Sequence, residues 1–418
     1  MSSGNERGVQ PLCNLERLAR VMHERGLDGL VLTQPYDVYY MSGFNATAHK
    51  GDEPRPYALV ISRAALREPV LIVADYYLGN FLTAPIWVQD IRPFRAVMMP
   101  LDVPPTRQDI DRFIPATGKG VGWVERARAN FAFDMKSCVL GAIRDLGLDG
   151  KRIGFDDLGY GMRLGLPASV LADAYDCMMD TRAIKTAGEI ERLKAATALN
   201  EGAIRGAIAR WDPKMSWADF TRVYDESVLA LGGFVRDPGG MVWGHPSGSD
   251  AAITLQTGRE RELVSSGTHV MFDCHGTLDL YCWDGGKTWV AGADPTPEGA
   301  RNAKATAVVA ETMLAAMRPG ARISELQRLA RETYRKAGHP DADSTWTFFH
   351  GLGLSLMDVP IERADGRSNA DWVLEQDMVV PMHLLCPGGQ RDRWWLEEVV
   401  HVCAQGGRPL FSWGFDAL

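Results

Sequence analysis

Four apolar runs in the second half of the chain carry carboxylates or imidazoles where a buried strand would otherwise hold only hydrocarbon. VMFDCHGTLDLYCWDGG contains Asp273 and Asp284, with His275 and Asp279 between them. TFFHGLGLSLMDVP contains His350 and Asp358, MVVPMHLLCPGG contains His383, and WWLEEVVHV contains Glu397, Glu398 and His401. Taken singly, a strand-borne Asp is ordinarily a turn or edge residue, and a lone His among apolar neighbours is ordinarily a satisfied core histidine. The flanks change that reading: Asp273 follows Val270, Met271 and Phe272, and Glu397 sits between Leu396 and Val399. A carboxylate set into such a strand needs a compensating charge. Lys287, Arg391 and Arg393 are the few cations these runs offer. A divalent cation is the simpler answer, and mixed oxygen and imidazole donors suit Mn, Fe, Co or Zn.

The 418 residues are too many for one ordinary core, so two domains are expected. Hydrophobic content of 46% and charged content of 23% are those of a soluble globular protein. A formal charge of −8 argues against a nucleic-acid partner. The opening MSSGNERGVQ lacks a signal-peptide pattern, and no apolar run approaches the ~20 residues that span a bilayer. The seven cysteines are scattered without a CxxC pair, which disfavours both a disulfide framework and a thiolate zinc site. A cytoplasmic protein with a small-molecule substrate, and neither nucleic acid nor membrane as partner, is the expectation.

Residues 1–178 read as an α/β unit. Asn14 is placed to cap a helix carrying Leu18, Val21 and Met22 on one face, with Gly26 to end it. LDGLVLTQP reads as a buried strand stopped by Pro35, and YALVIS and PVLIVAD read as further strands of the same sheet. Residues 179–418 read as an α+β unit opened by a long helix. Thr186 and Glu189 are spaced as its capping box, and Ile190, Leu193, Thr197, Ile204 and Ile208 mark one face. Thr296–Pro297 announces a second helix running to Arg318, and Ser324 with Gln327 starts a third. Strands are expected around Met241–Gly244, Thr268–Asp273, Tyr281–Val290, Met378–Leu385 and Trp394–Val402. Helices followed by hairpins, twice over, suggest two related halves.

These runs resemble the pita-bread superfamily of prolidase, aminopeptidase P, methionine aminopeptidase and creatinase. Its metal enzymes draw ligands in the order Asp, Asp, His, Glu, Glu. Asp273 and Asp284 keep the spacing of the first two, His350 opens the matching His-Gly-x-Gly-Leu run, and Glu397–Glu398 matches the last acidic strand. RGLDGLVLTQPYDVYYMSGF is similar to the superfamily's N-terminal domain, and TRAIKTAGEIERLKAA to the start of its catalytic domain. The resemblance implies an α+β chain, a pita-bread catalytic domain behind a creatinase-type α/β domain. It also implies one or two divalent ions held by Asp273, Asp284, His350, Glu397 and His383. It further implies a homodimer, with Asn45–Tyr57 as the segment reaching a neighbouring pocket.

Three departures from the pattern bear on function. His383 stands where the fourth ligand is a Glu, which removes one negative charge and makes a single-ion site plausible. Met357 stands in Met357-Asp358-Val359-Pro360 where the peptidases have a histidine. The histidine expected ahead of the first Asp aligns near Gln256, with His245 upstream as the other candidate. Asp358 and His275 are the candidate general acid or base. Trp283, Trp289, Trp346, Phe348, Phe349, Trp394 and Trp395 flank the site runs, mostly as core, with two or three free to hold an aromatic or cationic substrate. A metal-dependent hydrolase of a small non-peptide or atypical amide substrate is the leading expectation. A lyase of a small charged metabolite such as dimethylsulfoniopropionate, an Xaa-Pro peptidase and a catalytically inactive binding module are the alternatives.

Overall fold

The computed structural model describes residues 10–45, 56–95, 107–114, 120–243, 261–387 and 391–416. The chain divides into two units, Met1–Arg182 and Ala183–Leu418, the division falling four residues later than the expected 178/179 (182 − 178 = 4). His245, Gln256 and most of Asn45–Tyr57 lie outside the described residues.

In the first unit, α1 (Leu15–Glu24) is capped by Asn14, whose side chain accepts from Arg17 N, and buries Leu18, Val21 and Met22. Gly26 takes φ +64° beyond its end. There follow β1 (Gly29–Leu32), α2 (Pro35–Ser42), β2 (Tyr57–Ser62), β3 (Val70–Ala74), α3 (Asn80–Thr83), β4 (Asp90–Phe94), α4 (Gly122–Ala129), α5 (Met135–Asp145), β5 (Ile153–Phe155), α6 (Leu158–Arg163), β6 (Leu171–Asp173) and α7 (Tyr175–Ala183). The six strands form one mixed sheet in the order β4-β3-β2-β1-β5-β6, with β1–β2 and β2–β3 antiparallel and the remaining pairs parallel. Strands β1, β2 and β3 are buried along their whole length, as expected of strands covered on both faces. Pro35 does more than stop β1. It occupies the first turn of α2, where its missing N–H costs nothing.

The second unit opens with α8 (Ala187–Arg210), whose Thr186–Glu189 capping box is complete. A helix absent from the sequence reading follows, α9 (Trp217–Ala230), capped by a Ser216–Asp219 box. Asp in place of the usual Glu or Gln three residues after the cap hides that signature. Next come β7 (Phe234–Trp243), β8 (His269–Leu278), β9 (Tyr281–Trp283) and β10 (Gly286–Val290). A second helix pair, α10 (Pro297–Ala316) and α11 (Ile323–Lys336), precedes β11 (Trp346–Phe349), β12 (Val379–Cys386), β13 (Trp394–Cys403) and β14 (Gly406–Pro409). Ser324 lies inside α11 instead of capping it. Its N–H donates to Asp371 Oδ1 at 2.9 Å, so the cap comes from 47 residues away.

The eight strands form an antiparallel sheet whose main path runs β11-β12-β13-β10-β8-β7. Helices α10 and α11 bury Val309, Met313, Leu326 and Tyr334 with Val380, Leu384, Leu396 and Val400 of β12 and β13. Each helix pair thus precedes its own group of strands, the arrangement expected of an α+β domain. All seven cysteines are buried and none is in a disulfide. Among the described residues no helix is long and apolar enough to cross a membrane.

Candidate metal centre

The site is built on one row across the sheet. Phe348 of β11 lies opposite His383 of β12, His383 opposite Glu397 of β13, and Glu397 opposite Gly286 of β10. Antiparallel pairing brings directly opposed side chains to the same face, so the register alone sets imidazole against carboxylate. His383 Nε2 lies 2.9 Å from Glu397 Oε1. Glycine is required where Glu397 meets β10: a Cβ at Gly285 would fall 2.8 Å from Glu397 Cγ, and at Gly286 2.7 Å from Phe272 Cβ. Both take positive φ, +85° and +151°, and their bend carries Asp284 into the row.

Asp284 is the shared member of two groups. With His350, His383 and Glu397 it offers four ligand atoms within 4.8 Å of one another, and with Asp273 and His275 it forms a second such group. His350 Nε2 is 3.2 Å from Asp284 Oδ2. His275 Nε2 is 3.0 Å from Asp284 Oδ1 and 3.2 Å from Asp273 Oδ1. The five expected ligands therefore converge, and His275, expected as an acid or base, joins them in a ligand-compatible position. Each imidazole from β11–β12 is oriented from behind: His350 Nδ1 lies 3.0 Å from Gly351 O, and His383 Nδ1 3.3 Å from Phe348 O. An Nδ1–H donated to a carbonyl leaves Nε2 as the free donor atom. The His383 ring also stacks on Phe348 at 3.9 Å and meets Trp395 edge-on at 5.5 Å.

Three carboxylates share this space, and the proton affinities record the conflict. Burial, with the charges of Asp284 and Asp273, pushes Glu397 well above the usual carboxyl range. Burial alone would raise Asp284 too, but the charges and hydrogen bonds of His275 and His350 hold it far below its ordinary value. For His275, burial is outweighed by Asp284 and Asp273, and its pKa rises to about 10. Burial and the neighbouring His350 hold His383 well below an ordinary imidazole. Both carboxylate oxygens of Asp284 and of Glu397 are buried without a well-directed hydrogen bond.

The candidate cations do not relieve them. Lys287 Nζ donates to Gly414 O and Asp416 O at 2.6 Å each, and Arg393 Nη2 to His269 O at 3.1 Å. Buried carboxylate oxygens without a well-directed hydrogen bond, set beside the Nε2 atoms of His350 and His383, fit divalent transition-metal ions, which His350, His383, Asp284, Glu397, Asp273 and His275 would hold.

Glu398 lies on the opposite face of β13, as strand alternation requires. Its Oε1 accepts from Leu410 N at 3.2 Å and Phe411 N at 3.1 Å. His401 pairs with Asp377 at 2.9 Å, and Asp279 with Arg192 at 3.7 Å. None of these reaches the centre.

A cavity of about 600 Å³ opens on Asp273, His275, Asp284, His350 and His383. The rest of its lining is mostly apolar, with Phe348, Leu356, Met357, Ile361 and Trp372 joined by the side-chain amides of Gln327 and Asn369. Met357 thus faces the cavity where the resemblance implies a histidine. Of the two proton-transfer candidates only His275 lines this space. Asp358 is buried at 1% exposure and paired with Lys185 at 2.8 Å. Of the seven flanking aromatics, Phe348 and Phe349 line the cavity. Trp283, Trp289, Trp394 and Trp395 are buried, and Trp346 is exposed. Trp372 lines it unanticipated, since it lies in a loop without apolar periodicity.

An antiparallel sheet with buried carboxylates and imidazoles converging on an apolar cavity, preceded by a mixed-sheet domain, defines a metallohydrolase architecture of two units. Residues 191–401 match metallopeptidase family M24, and residues 14–184 match the creatinase/prolidase N-terminal domain. The chain belongs to metallopeptidase family M24. It is 30% identical over 181 residues to a putative dipeptidase, YkvY, of Bacillus subtilis, a stretch covering 42% of this chain and 44% of that relative. Among solved structures it is similar to an X-Pro aminopeptidase of Thermotoga maritima, with TM-score 0.65, 18% identity and coverage of 97% and 99% of the two chains. It is also similar to an Xaa-Pro dipeptidase of Bacillus anthracis, with TM-score 0.65, 16% identity and coverage of 97% and 98%.

Proposed function

We propose that the chain is a metal-dependent hydrolase acting on a small non-peptide or atypical amide substrate rather than an ordinary Xaa-Pro peptide. The observation that carries this reading is the joining of an intact Asp273–Asp284–His350–Glu397 set to a cavity whose wall presents Met357 instead of an imidazole. When bound, divalent ions would supply Lewis-acid polarisation and an activated water.

The chain's own residues do the rest. His350 and His383 are held by Gly351 O and Phe348 O with Nε2 directed inward. His275 bridges Asp273 and Asp284 at the cavity surface, adding an imidazole to that pair of carboxylates. Leu356, Met357 and Trp372 give the cavity an apolar lining beside the candidate ligands, suited to a small substrate with an apolar part.

Protein purified without chelator should carry Mn, Fe, Co or Zn, and reloading with one of these should switch on turnover of small amides in a substrate screen. Bound transition metal below about 0.2 equivalents, with no activity on reloading any of the four, would sink the reading. Oxygen from labelled water should appear in product. Turnover without incorporation would instead mark an elimination.

A further inference from the structure

Asp358 is set apart from the cavity, and what surrounds it points to a different use. Its carboxylate and the Lys185 ammonium pair at 2.8 Å with both side chains 1% exposed, across 173 residues of sequence. The backbone of Asp358 donates to Gly351 O at 2.9 Å, the same carbonyl that lies 3.0 Å from His350 Nδ1. Between them the chain has no room for a side chain: a Cβ at Gly353 would fall 2.0 Å from Asp358 Oδ2 and 2.7 Å from Lys185 Nζ.

The same loop is tied to two other ligand-bearing segments. Cys282 N donates to Gly353 O at 2.8 Å, two residues before Asp284, and Leu352 N donates to Val379 O at 2.9 Å, four residues before His383. Lys185 is itself fixed by its N–H to Asp377 O at 2.9 Å. Buried ion pairs are seldom kept for stability, because well-packed apolar residues of similar volume often do as well. What a charge pair supplies that an apolar pair does not is a fixed direction and distance.

We propose that Lys185 and Asp358 are positioning residues. Their ion pair sets the turn from Gly351 to Gly353 and so holds the His350 imidazole with Nε2 against Asp284. The proposal rests on the metal-centre reading for its affinity measurement and on the metal-free geometry independently of it.

Breaking the pair singly, by Lys185→Met or Asp358→Leu, should lower thermal stability. The double variant Lys185→Met/Asp358→Leu should regain most of that stability. Its metal dissociation constant, measured by chelator competition, should nevertheless stay about tenfold or more weaker than wild type, the size typical of losing an outer partner of a ligand. Recovery of both stability and affinity in the double variant would overturn the proposal, as would wild-type affinity in either single variant.

If the double variant does not fold, Asp358→Asn, which keeps an acceptor for Lys185, is compared with Asp358→Ala. Asn should retain affinity and Ala should lose it, and equal affinities overturn the proposal. Crystal structures of the metal-free wild type and variant read the geometry without any ion. The 3.2 Å contact between His350 Nε2 and Asp284 Oδ2 should be present in the first and lost in the second. An unchanged contact overturns the positioning role whether or not metal binds. A lost contact in a protein that never binds metal would sink the metal-centre reading alone.

Discussion

Asn200 Nδ2 donates a 2.9 Å hydrogen bond to the carbonyl of Gly285, the residue immediately after the shared candidate ligand Asp284. Asn200 Oδ1 in turn accepts from Tyr224 OH at 2.9 Å, and Tyr224 OH from Trp283 Nε1 at 3.1 Å. Two helices of the second unit thereby fix the bend between β9 and β10. Asn200→Leu would leave the Tyr224 hydroxyl and the Gly285 carbonyl short of partners inside the core, at a cost of about 1–3 kcal/mol. Urea unfolding of the metal-free protein measures it, and an unchanged midpoint would count against a structural role for this chain of bonds.

Asp284→Ala removes the member common to both ligand groups, whereas Glu397→Gln removes one charge from a crowded set. Metal content by elemental analysis should fall to background in Asp284→Ala. In Glu397→Gln the metal-free melting temperature should hold or rise, because a buried carboxyl pushed far above its ordinary pKa is replaced by a neutral amide. The rise in melting temperature on adding metal should shrink in the same variant. A Glu397→Gln protein that melts well below the metal-free wild type would contradict this account.

His383→Glu adds a fourth carboxylate to the site, beside Asp273, Asp284 and Glu397. Four such charges balance two divalent ions, so affinity for a second ion should increase, while the metal-free form should lose stability through repulsion with Glu397. Calorimetric titration gives the stoichiometry. No change in either quantity would mean that position 383 does not face the ions.

Glu398 should make the metal-free protein lose stability as pH rises. Burial lifts its pKa to about 8, against the opposing pull of the Phe411 and Leu410 N–H groups and of Lys287. A folded-state pKa above the unfolded one means that the folded form holds the proton more tightly. Its contribution is full near pH 4.5 and is lost as pH climbs to about 8. His383, depressed by burial, acts in the opposite sense below the ordinary imidazole value of 6.5, so the test belongs above it. Between pH 6.5 and 8, Glu398 should contribute a fall in unfolding free energy of up to about 1.4 kcal/mol per pH unit, beside falls of the same sign from His275 and Glu397, and Glu398→Gln should reduce the slope by that share.

Met357→His puts an imidazole on the lining of the cavity that holds the candidate ligands. Hydrolysis of Xaa-Pro dipeptides by the metal-loaded variant should rise by at least about tenfold over the wild type, within the range a positioned acid or base contributes. Steady-state kinetics on one dipeptide series checks it, and no gain would show that position 357 does not limit peptide turnover.

Much of the fold could be read locally. Asn14, Thr186 and Thr296 each cap the helix assigned to them, since a cap is written within four residues of sequence. The ligand candidates were visible because an acid inside an apolar run is anomalous wherever it stands. Relationships that close over long distances were not legible. Asp371 caps α11 from 47 residues away, and Lys185 meets Asp358 across 173, which leaves Asp358 looking like a proton-transfer group. The row that sets His383 against Glu397 is a property of register, which no single strand contains.

Neighbouring acids on β13 create an ambiguity that the fold must resolve as it forms. A strand that slid by one position would present Glu398 where Glu397 belongs, and would also turn Trp394, Leu396, Val400 and Val402 out of the core they share with α10 and α11. Leu410 and Phe411 add a polar check, because their two N–H groups find the Glu398 acceptor only when it faces away from the candidate metal centre. The pair of acids thus behaves as a vernier, one mark set at the candidate metal centre and the other confirming the alignment.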